Sequence, residues 1–412
     1  MNPSSVRLTR IGLVSALWLL VGFGRTHSAD AQISDGPLQI FGYYQNAAQY
    51  YARVGESDSN TFLLQQLNFI AQKDLGPKFR SFVNFEFLNT FESSLRWGSA
   101  SLKEAWVRYD GSPGLRLKIG LQLPVFNHLN EIKSRTPLLP YIVRPVAYET
   151  SLKEIIDVEE YTPERAFLQA YGTTPGSRLS FDYAAYLGNT RNINNDQDRG
   201  QTGIDTTAII MVGGRLGLHM NNMDSDLSEV RFGISATHDR INLYEEIIDL
   251  IPPNDPTEKF NSILKKMPRW RLGADLGLYW NQFYLQSEAI IVRYLETSED
   301  ALLERSFFYS TLGYTLSERS EMYLSYWQVQ EHGYLNDERP EFFFLFDQEV
   351  NLDIYSVGAR YNLTPRLVLK GQYAFVNLDS IDIVRDMGIS ADSIIDFGEK
   401  FSIITIALSV FF

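Results

Sequence analysis

Residues 115–123 read Leu115-Arg116-Leu117-Lys118-Ile119-Gly120-Leu121-Gln122-Leu123, aliphatic at odd positions and charged, amide or glycine at even ones. A strand sends successive side chains to opposite faces, so this pattern predicts a strand with one apolar face and one wet, basic face. The same period of two recurs upstream, where Phe79, Ser81, Val83, Phe85 and Phe87 alternate with Arg80, Phe82, Asn84, Glu86 and Leu88. It recurs downstream as Trp270, Leu272, Ala274, Leu276, Leu278 and Trp280 against Arg271, Gly273, Asp275, Gly277 and Tyr279, and again over 366–377. Residues 321–330 alternate poorly, and no face is assigned to them. After 115–123 comes an aperiodic stretch, 124–163, dense in Pro, Lys, Arg and Glu, of a length that compact soluble domains rarely carry as loop.

The connections have a rhythm of their own. Short turns rich in Gly, Pro, Asn, Asp and Ser fall at 74–78, 110–114, 173–177, 281–282, 317–320 and 362–365. Between them lie longer polar connections near 53–60, 91–100, 124–163, 188–205, 239–268, 296–304, 331–350 and 378–398, with 218–228 a somewhat long member of the short set. The segments so divided number about sixteen, and short turns at one rim with long loops at the other are the habit of a transmembrane antiparallel up-and-down β-barrel.

Composition agrees. Aromatics make up 13% of the chain, with 23 Tyr and 26 Phe, while mean hydropathy is only −0.17. No run of apolar residues beyond position 23 is long enough for a spanning helix, and a barrel spreads its lipid band over alternate residues. Cysteine is absent, which excludes a disulfide framework, a thiolate metal site and a cysteine nucleophile. Arg7 and Arg10 precede an apolar stretch over 11–23, and Ala29-Asp30-Ala31 supplies a small-residue cleavage site. The expectation is a cleaved signal peptide, 1–31, and an all-β barrel over 32–412. Losing Arg7, Arg10, Arg25 and Asp30 removes a net +2 and takes the formal charge from −13 to −15, which argues against a nucleic-acid partner.

Lipid admits only closed strand arrays, and about sixteen strands enclose an aqueous lumen. Too little chain precedes the first strand for a separate plug, so 124–163 is expected to fold inward as a constriction loop. The fifth strand should rise to the outer rim, and the loop should then dip back to meet Arg116 and Lys118.

From 103 to 145 the chain resembles a family, the phosphate-selective porins and their broader porin relatives. The likeness is carried by Lys103-Glu104-Ala105-Trp106-Val107-Arg108-Tyr109, then Lys118-Ile119-Gly120-Leu121-Gln122-Leu123-Pro124-Val125-Phe126, then Tyr141-Ile142-Val143-Arg144-Pro145. The family leaves a strand through Gly, four residues and Pro-Phe, and its next aromatic-rich segment ends in Glu-Arg. Here Val125 separates Pro124 from Phe126, and Val143 stands where the Glu is expected. The resemblance implies a homotrimer in the bacterial outer membrane with a loop folded into each pore. The final segment, 401–412, ends on Phe412 and resembles the terminal strand read by barrel-assembly machinery, without the glycine often found in that signal.

A water-filled pore selects by the fixed charges on its wall. The candidate lining and constriction residues are Arg80, Glu104, Arg108, Arg116 and Lys118 on strands, with Glu131, Lys133, Arg135 and Arg144 in the loop. Arg215, Arg231, Arg271, Arg360 and Lys370 share inward faces with Glu86, Asp275 and Glu288. These residues suit a diffusion pore for small hydrophilic solutes, with or without an anion preference, and equally suit a polar lumen that is merely cross-braced. A phosphate- or solute-specific channel is the first alternative, and a barrel enzyme or receptor component the second. No enzyme is expected: His27, His128, His219, His238 and His332 scatter over unrelated segments without a nucleophile signature. No cofactor or metal is expected either, since Asp196 and Asp198 lack calcium-loop spacing. Acidic tips at 299–300 and 379–399 are candidates for bridging cations to lipopolysaccharide, and the apolar run 340–346 reads as an extension of the wall.

Overall fold

The computed structural model describes residues 36–53, 59–88, 99–148, 161–174, 176, 178–190, 209–221, 227–241, 267–294, 301–339, 342–386 and 393–412. The signal expected at 1–31, the tips at 194–198 and 299–300, and residues 149–160 of the long loop lie outside these residues. Of the run 340–346, only the backbone from Phe342 onward is described.

The alternating segments become sixteen strands. The first eight are β1 (Gln39–Arg53), β2 (Ser59–Gly76), β3 (Phe79–Leu88), β4 (Ser99–Ser112), β5 (Leu115–Gln122), β6 (Ala166–Thr173), β7 (Leu179–Gly188) and β8 (Met211–Asn221). The rest are β9 (Leu227–Ile241), β10 (Met267–Trp280), β11 (Phe283–Tyr294), β12 (Ala301–Ser317), β13 (Ser320–Arg339), β14 (Phe342–Thr364), β15 (Leu367–Asp386) and β16 (Ser393–Phe411). Each pairs antiparallel with its neighbours in sequence, and β16 returns to β1 over Tyr43↔Phe411 to Arg53↔Phe401, closing the barrel. Full closure leaves no unpaired sheet edge, the condition lipid imposes.

Two connections are shorter than their polarity predicts. Residues 331–350 are largely hairpin: β13 and β14 stay paired as far as Arg339↔Phe342. Residues 378–398 are likewise mostly strand, with β15 and β16 paired out to Val384↔Ser393. A hairpin that rises beyond the membrane needs no apolar face there, so its sequence loses the alternation by which strands are recognised.

The outward faces are apolar. Phe62, Ile119, Leu216, Leu324 and Ile406 are among the most exposed large side chains, with Trp270 and Trp280 on the outer face of β10. A continuous band of this kind is stable against hydrocarbon and not against water. The inward faces differ around the barrel. On β1–β5 they carry Gln45, Gln66, Asn68, Asn84, Glu86, Glu104 and Lys118, a polar set. On β11–β16 they carry Ile290, Val292, Phe307, Trp327, Val329, Leu352, Ile354, Val376 and Ile403, all buried. This explains residues 321–330: Tyr323, Trp327 and Val329 point inward while Met322 and Leu324 point outward, so both faces are greasy and the alternation vanishes.

What covers the apolar inner wall is the long connection between β5 and β6. Gly120 prepares the departure from the strand, with φ +122, where a Cβ would lie 2.3 Å from the Ala105 carbonyl oxygen. The pairing of β5 with β6 shifts register between Ile119 and Gln122, and the chain turns into the lumen. Two short 3-10 turns, Thr136–Leu138 and Val146–Tyr148, are the regular structure of the inserted loop among the described residues.

Candidate functional site

The loop is fastened to the barrel wall at many points, most of them backbone groups held by amide or charged side chains. Gln372 of β15 accepts hydrogen bonds from the Ile142 and Val143 N–H groups at 2.7 and 2.8 Å and donates to the Val143 carbonyl at 2.9 Å. On β2, Gln66 accepts from the Thr136 N–H at 3.0 Å and donates to the Ser134 carbonyl, while Gln65 donates to the Ile142 carbonyl at 2.7 Å. Across the lumen, Glu288 of β11 accepts from the His128 and Leu129 N–H groups at 3.1 and 2.8 Å and from the Tyr148 hydroxyl. Asn130 closes the base of the loop by donating to the Pro124 and Pro163 carbonyls at 2.9 and 3.1 Å. Irregular backbone buried this deeply must have each N–H and C=O met, and the amide side chains do that work.

The loop's own side chains then pack. Phe126, Leu129, Tyr141, Val143, Val146, Tyr148 and Tyr161 form one buried cluster with the apolar inner faces of β11–β16. The loop therefore fills one side of the lumen with a hydrophobic core, going further than the narrowing expected from sequence.

The charged candidates gather on the opposite side. Arg80, Arg108 and Lys118 are direct cross-strand neighbours on β3, β4 and β5. Each has an acidic companion: Arg80 with Asp74 at 2.7 Å, Arg108 with Asp110 at 2.9 Å, and Lys118 with Glu131 of the loop at 3.5 Å. Lys118 also sits over the rings of Trp106 and Tyr171, 5.0 and 5.1 Å from their centroids. The loop thus reaches Lys118, whereas Arg116 pairs with Asp110 at 3.5 Å beside the β4–β5 turn. Above this row, Arg135 of the loop approaches Glu104 at 3.5 Å and Lys103 bridges to Glu86 at 2.7 Å. Several of these groups keep partial exposure, with the side chains of Glu131 at 41%, Lys103 at 37% and Arg135 at 30%.

Lys133 and Arg144 turn into the loop instead. The Lys133 ammonium donates to the Thr162 hydroxyl at 2.9 Å, and Arg144 donates to the Lys133 carbonyl. Burial, only partly offset by Glu164, brings the Lys133 ammonium down to about 8. Burial also lowers the His128 imidazole.

A second polar wall lies beneath the loop on β7–β11. Arg215 bridges Asp182 at 2.6 Å and Asp275 at 2.7 Å, His219 contacts Asp182, and Arg231 bonds Glu229 while lying over Tyr279. A small cleft of about 10 Å³ opens here between His128, Arg231, Asp275, Tyr279, Gln286 and Glu288. His238 is elsewhere, stacked on Trp270 at 4.3 Å.

No family model and no curated protein matches the sequence. Solved structures do match the fold. An anion-selective porin from Comamonas acidovorans superposes with a TM-score of 0.54 at 10% identity, covering 92% of this chain and 100% of that one. The outer membrane channel DcaP of Acinetobacter baumannii gives 0.53 at 8% identity over 92% and 97%. A loop L8 deletion mutant of OmpT, an outer membrane protein of Vibrio cholerae, gives 0.51 at 8% identity over 92% and 99%. The fold is that of an outer-membrane porin.

Within this porin fold, the fixed charges, Glu288 among them, are visible in the sequence and the amide anchors are not. Gln65, Gln66, Gln372 and Gln169, which accepts from the Val125 N–H at 3.2 Å, carry no mark of their role, because an amide on a strand's polar face looks like ordinary filling. The usable signal was their position, inward and opposite a long aperiodic segment whose backbone had to find partners.

Proposed function

We propose that this chain is a porin of the bacterial outer membrane, a non-enzymatic channel that passes small hydrophilic solutes by diffusion and assembles as a homotrimer. One observation carries the reading: with the loop packed against β11–β16, a row of partly exposed charges on β2–β5 and the loop's facing edge is left uncovered beside it. The passage runs along that wall, bounded by Glu104, Arg108, Lys118, Glu131 and Arg135, with Arg80 and Arg116 at its inner mouth. Because each of these cations has a carboxylate near it, charge selection is weak and falls as salt screens it. The neighbours' names, an anion-selective porin and an outer membrane channel, support a conducting barrel. Lipopolysaccharide at the outer rim and barrel-assembly machinery at the Phe412 strand complete the set of partners.

A phosphate-preferring channel is the second reading, favoured by the aligned Arg80, Arg108 and Lys118, which set three cations side by side. Phosphate recognition gains from converging donors, and a bound anion would have to displace Asp74, Asp110 and Glu131. Purified protein in planar bilayers separates these readings. We expect steady ohmic conductance with a small reversal potential in a salt gradient; phosphate block at low concentration would favour the second reading. Absence of conductance would remove both.

A further inference from the structure

Lys370 lies on β15 with its side chain turned into the barrel, and the residue is 1% exposed. Its ammonium is within hydrogen-bond distance of four oxygens: Gln45 Oε1 at 3.0 Å and the backbone carbonyls of Thr136, Leu139 and Tyr141 at 3.0, 2.7 and 3.3 Å. None of the four is a carboxylate. An ammonium removed from water needs strong acceptors, and ammonium–oxygen bonds in a low-dielectric interior are strong ones. The three carbonyls belong to the 3-10 turn Thr136–Leu138 and the extended stretch that leaves it. The Thr136 carbonyl also closes the turn by accepting from the Leu139 N–H at 3.1 Å, and the Leu139 and Tyr141 carbonyls lie beyond it. Two residues further along the same face, Gln372 holds the Ile142 and Val143 amides.

We propose that Lys370 is the positioning residue of the inserted loop, a tethered cation seated in a cage of loop carbonyls that fixes how far residues 136–143 stand from the β2–β5 wall. It recognises backbone, while the side chains of Leu139, Tyr141 and Val143 pack separately into the core. It acts on the passage through the loop and need not touch solute. The free-cation equivalent of its head group is an alkylammonium ion, and a cage emptied of the lysine should accept one.

The test compares Lys370→Met, which keeps the stem and loses every donor, with Lys370→Ala, which leaves a cavity, both in the full-length refolded barrel. Trypsin reads the loop directly, since Lys133 and Arg135 are cleavage sites held within it, whereas Arg144 precedes Pro145 and resists the protease. Both variants should be cut within the loop about tenfold faster or more than the unchanged protein, the factor expected for losing a buried charge-assisted contact. Methylammonium should restore protection to Lys370→Ala and not to Lys370→Met. Conductance should rise and become noisier in both, with the same rescue. Protection and conductance equal to the unchanged protein in Lys370→Met would overturn the proposal. So would failure of both variants to form a heat-modifiable barrel with methylammonium present, which would assign Lys370 to barrel stability. The proteolysis arm does not rest on the channel reading: an unchanged protein that conducts nothing leaves that arm intact.

Discussion

Lys133 shows how a single buried side chain makes stability depend on pH. Its ammonium is brought down to about 8 by burial, against a value near 10.4 in an exposed chain. The folded protein therefore releases this proton at lower pH than the unfolded chain does, and stability rises with pH between about 8 and about 10 as that mismatch is relieved. The urea midpoint of the refolded barrel should therefore rise between about pH 8 and about pH 10, and Lys133→Met should flatten that rise. The Lys118–Glu131 pair makes a second residue-scale test. Removing the carboxylate with Glu131→Gln frees Lys118, whose side chain is 12% exposed, and should move the reversal potential toward anions; Lys118→Gln should move it the other way. Equal potentials in both variants would show that the pair does not face the current. At this scale the sequence assigned Lys118 and Lys370 to the inner face, because a strand's parity assigns faces without reference to the rest of the chain, and it left Lys133 and Arg144 of the loop unplaced. It did not reveal which charges were paired, because pairing across strands depends on register, and register comes from the turns and the bulges.

Among elements, β5 and its continuation were the most legible part of the chain, and they carry positive-φ backbone at Gly120 and Asn127. Parity gave the strand, turn chemistry gave its start, and the loss of period marked its end. The backbone at Gly120 was not legible, since a glycine on a polar face is unremarkable until φ is known to be +122. Gly120→Ala places a Cβ against the Ala105 carbonyl and requires a left-handed conformation as well. We expect a loss of about 1–3 kcal/mol, read as a lower urea midpoint for the refolded barrel, and larger current fluctuations because the loop leaves the wall at this residue. An unchanged midpoint would show that the bulge relaxes freely. The hairpin of β13 and β14 was the least legible element, for two separate reasons. Its outer part has no face in lipid, and its inner part has apolar residues on both faces, so neither half keeps a period of two.

At the scale of the molecule, the barrel is two structures sharing one wall. Half of the inner circumference is a polar surface, and the other half is the exterior layer of a hydrophobic core whose interior is the loop. A loop that only narrowed a wet pore would be dispensable to the barrel. Here its removal uncovers Phe307, Trp327, Leu352 and Ile354, all nearly fully buried. Deleting 127–148 should therefore raise conductance and lower the unfolding temperature together, with new binding of a hydrophobic dye in the lumen. Higher conductance at an unchanged unfolding temperature would contradict the two-part description. Closure and strand number were available from the chain's rhythm. The division of the lumen was not, because apolar inner faces weaken the alternation that would have reported them.

The loop also touches both sides of the place where the barrel shuts. Ser134 receives the Tyr43 hydroxyl of β1 at 3.4 Å, Lys370 of β15 holds the loop, and Gln45 of β1 accepts from both Lys370 and Ser409 of β16. First and last strands lie at opposite ends of the chain, and bringing such distant partners together is the slowest search an antiparallel ring has to make. A filled interior that grips strands on either side ties that closure from within. The inserted segment is a strap across the seam, and losing it would loosen the ring at the junction where its first and last strands meet.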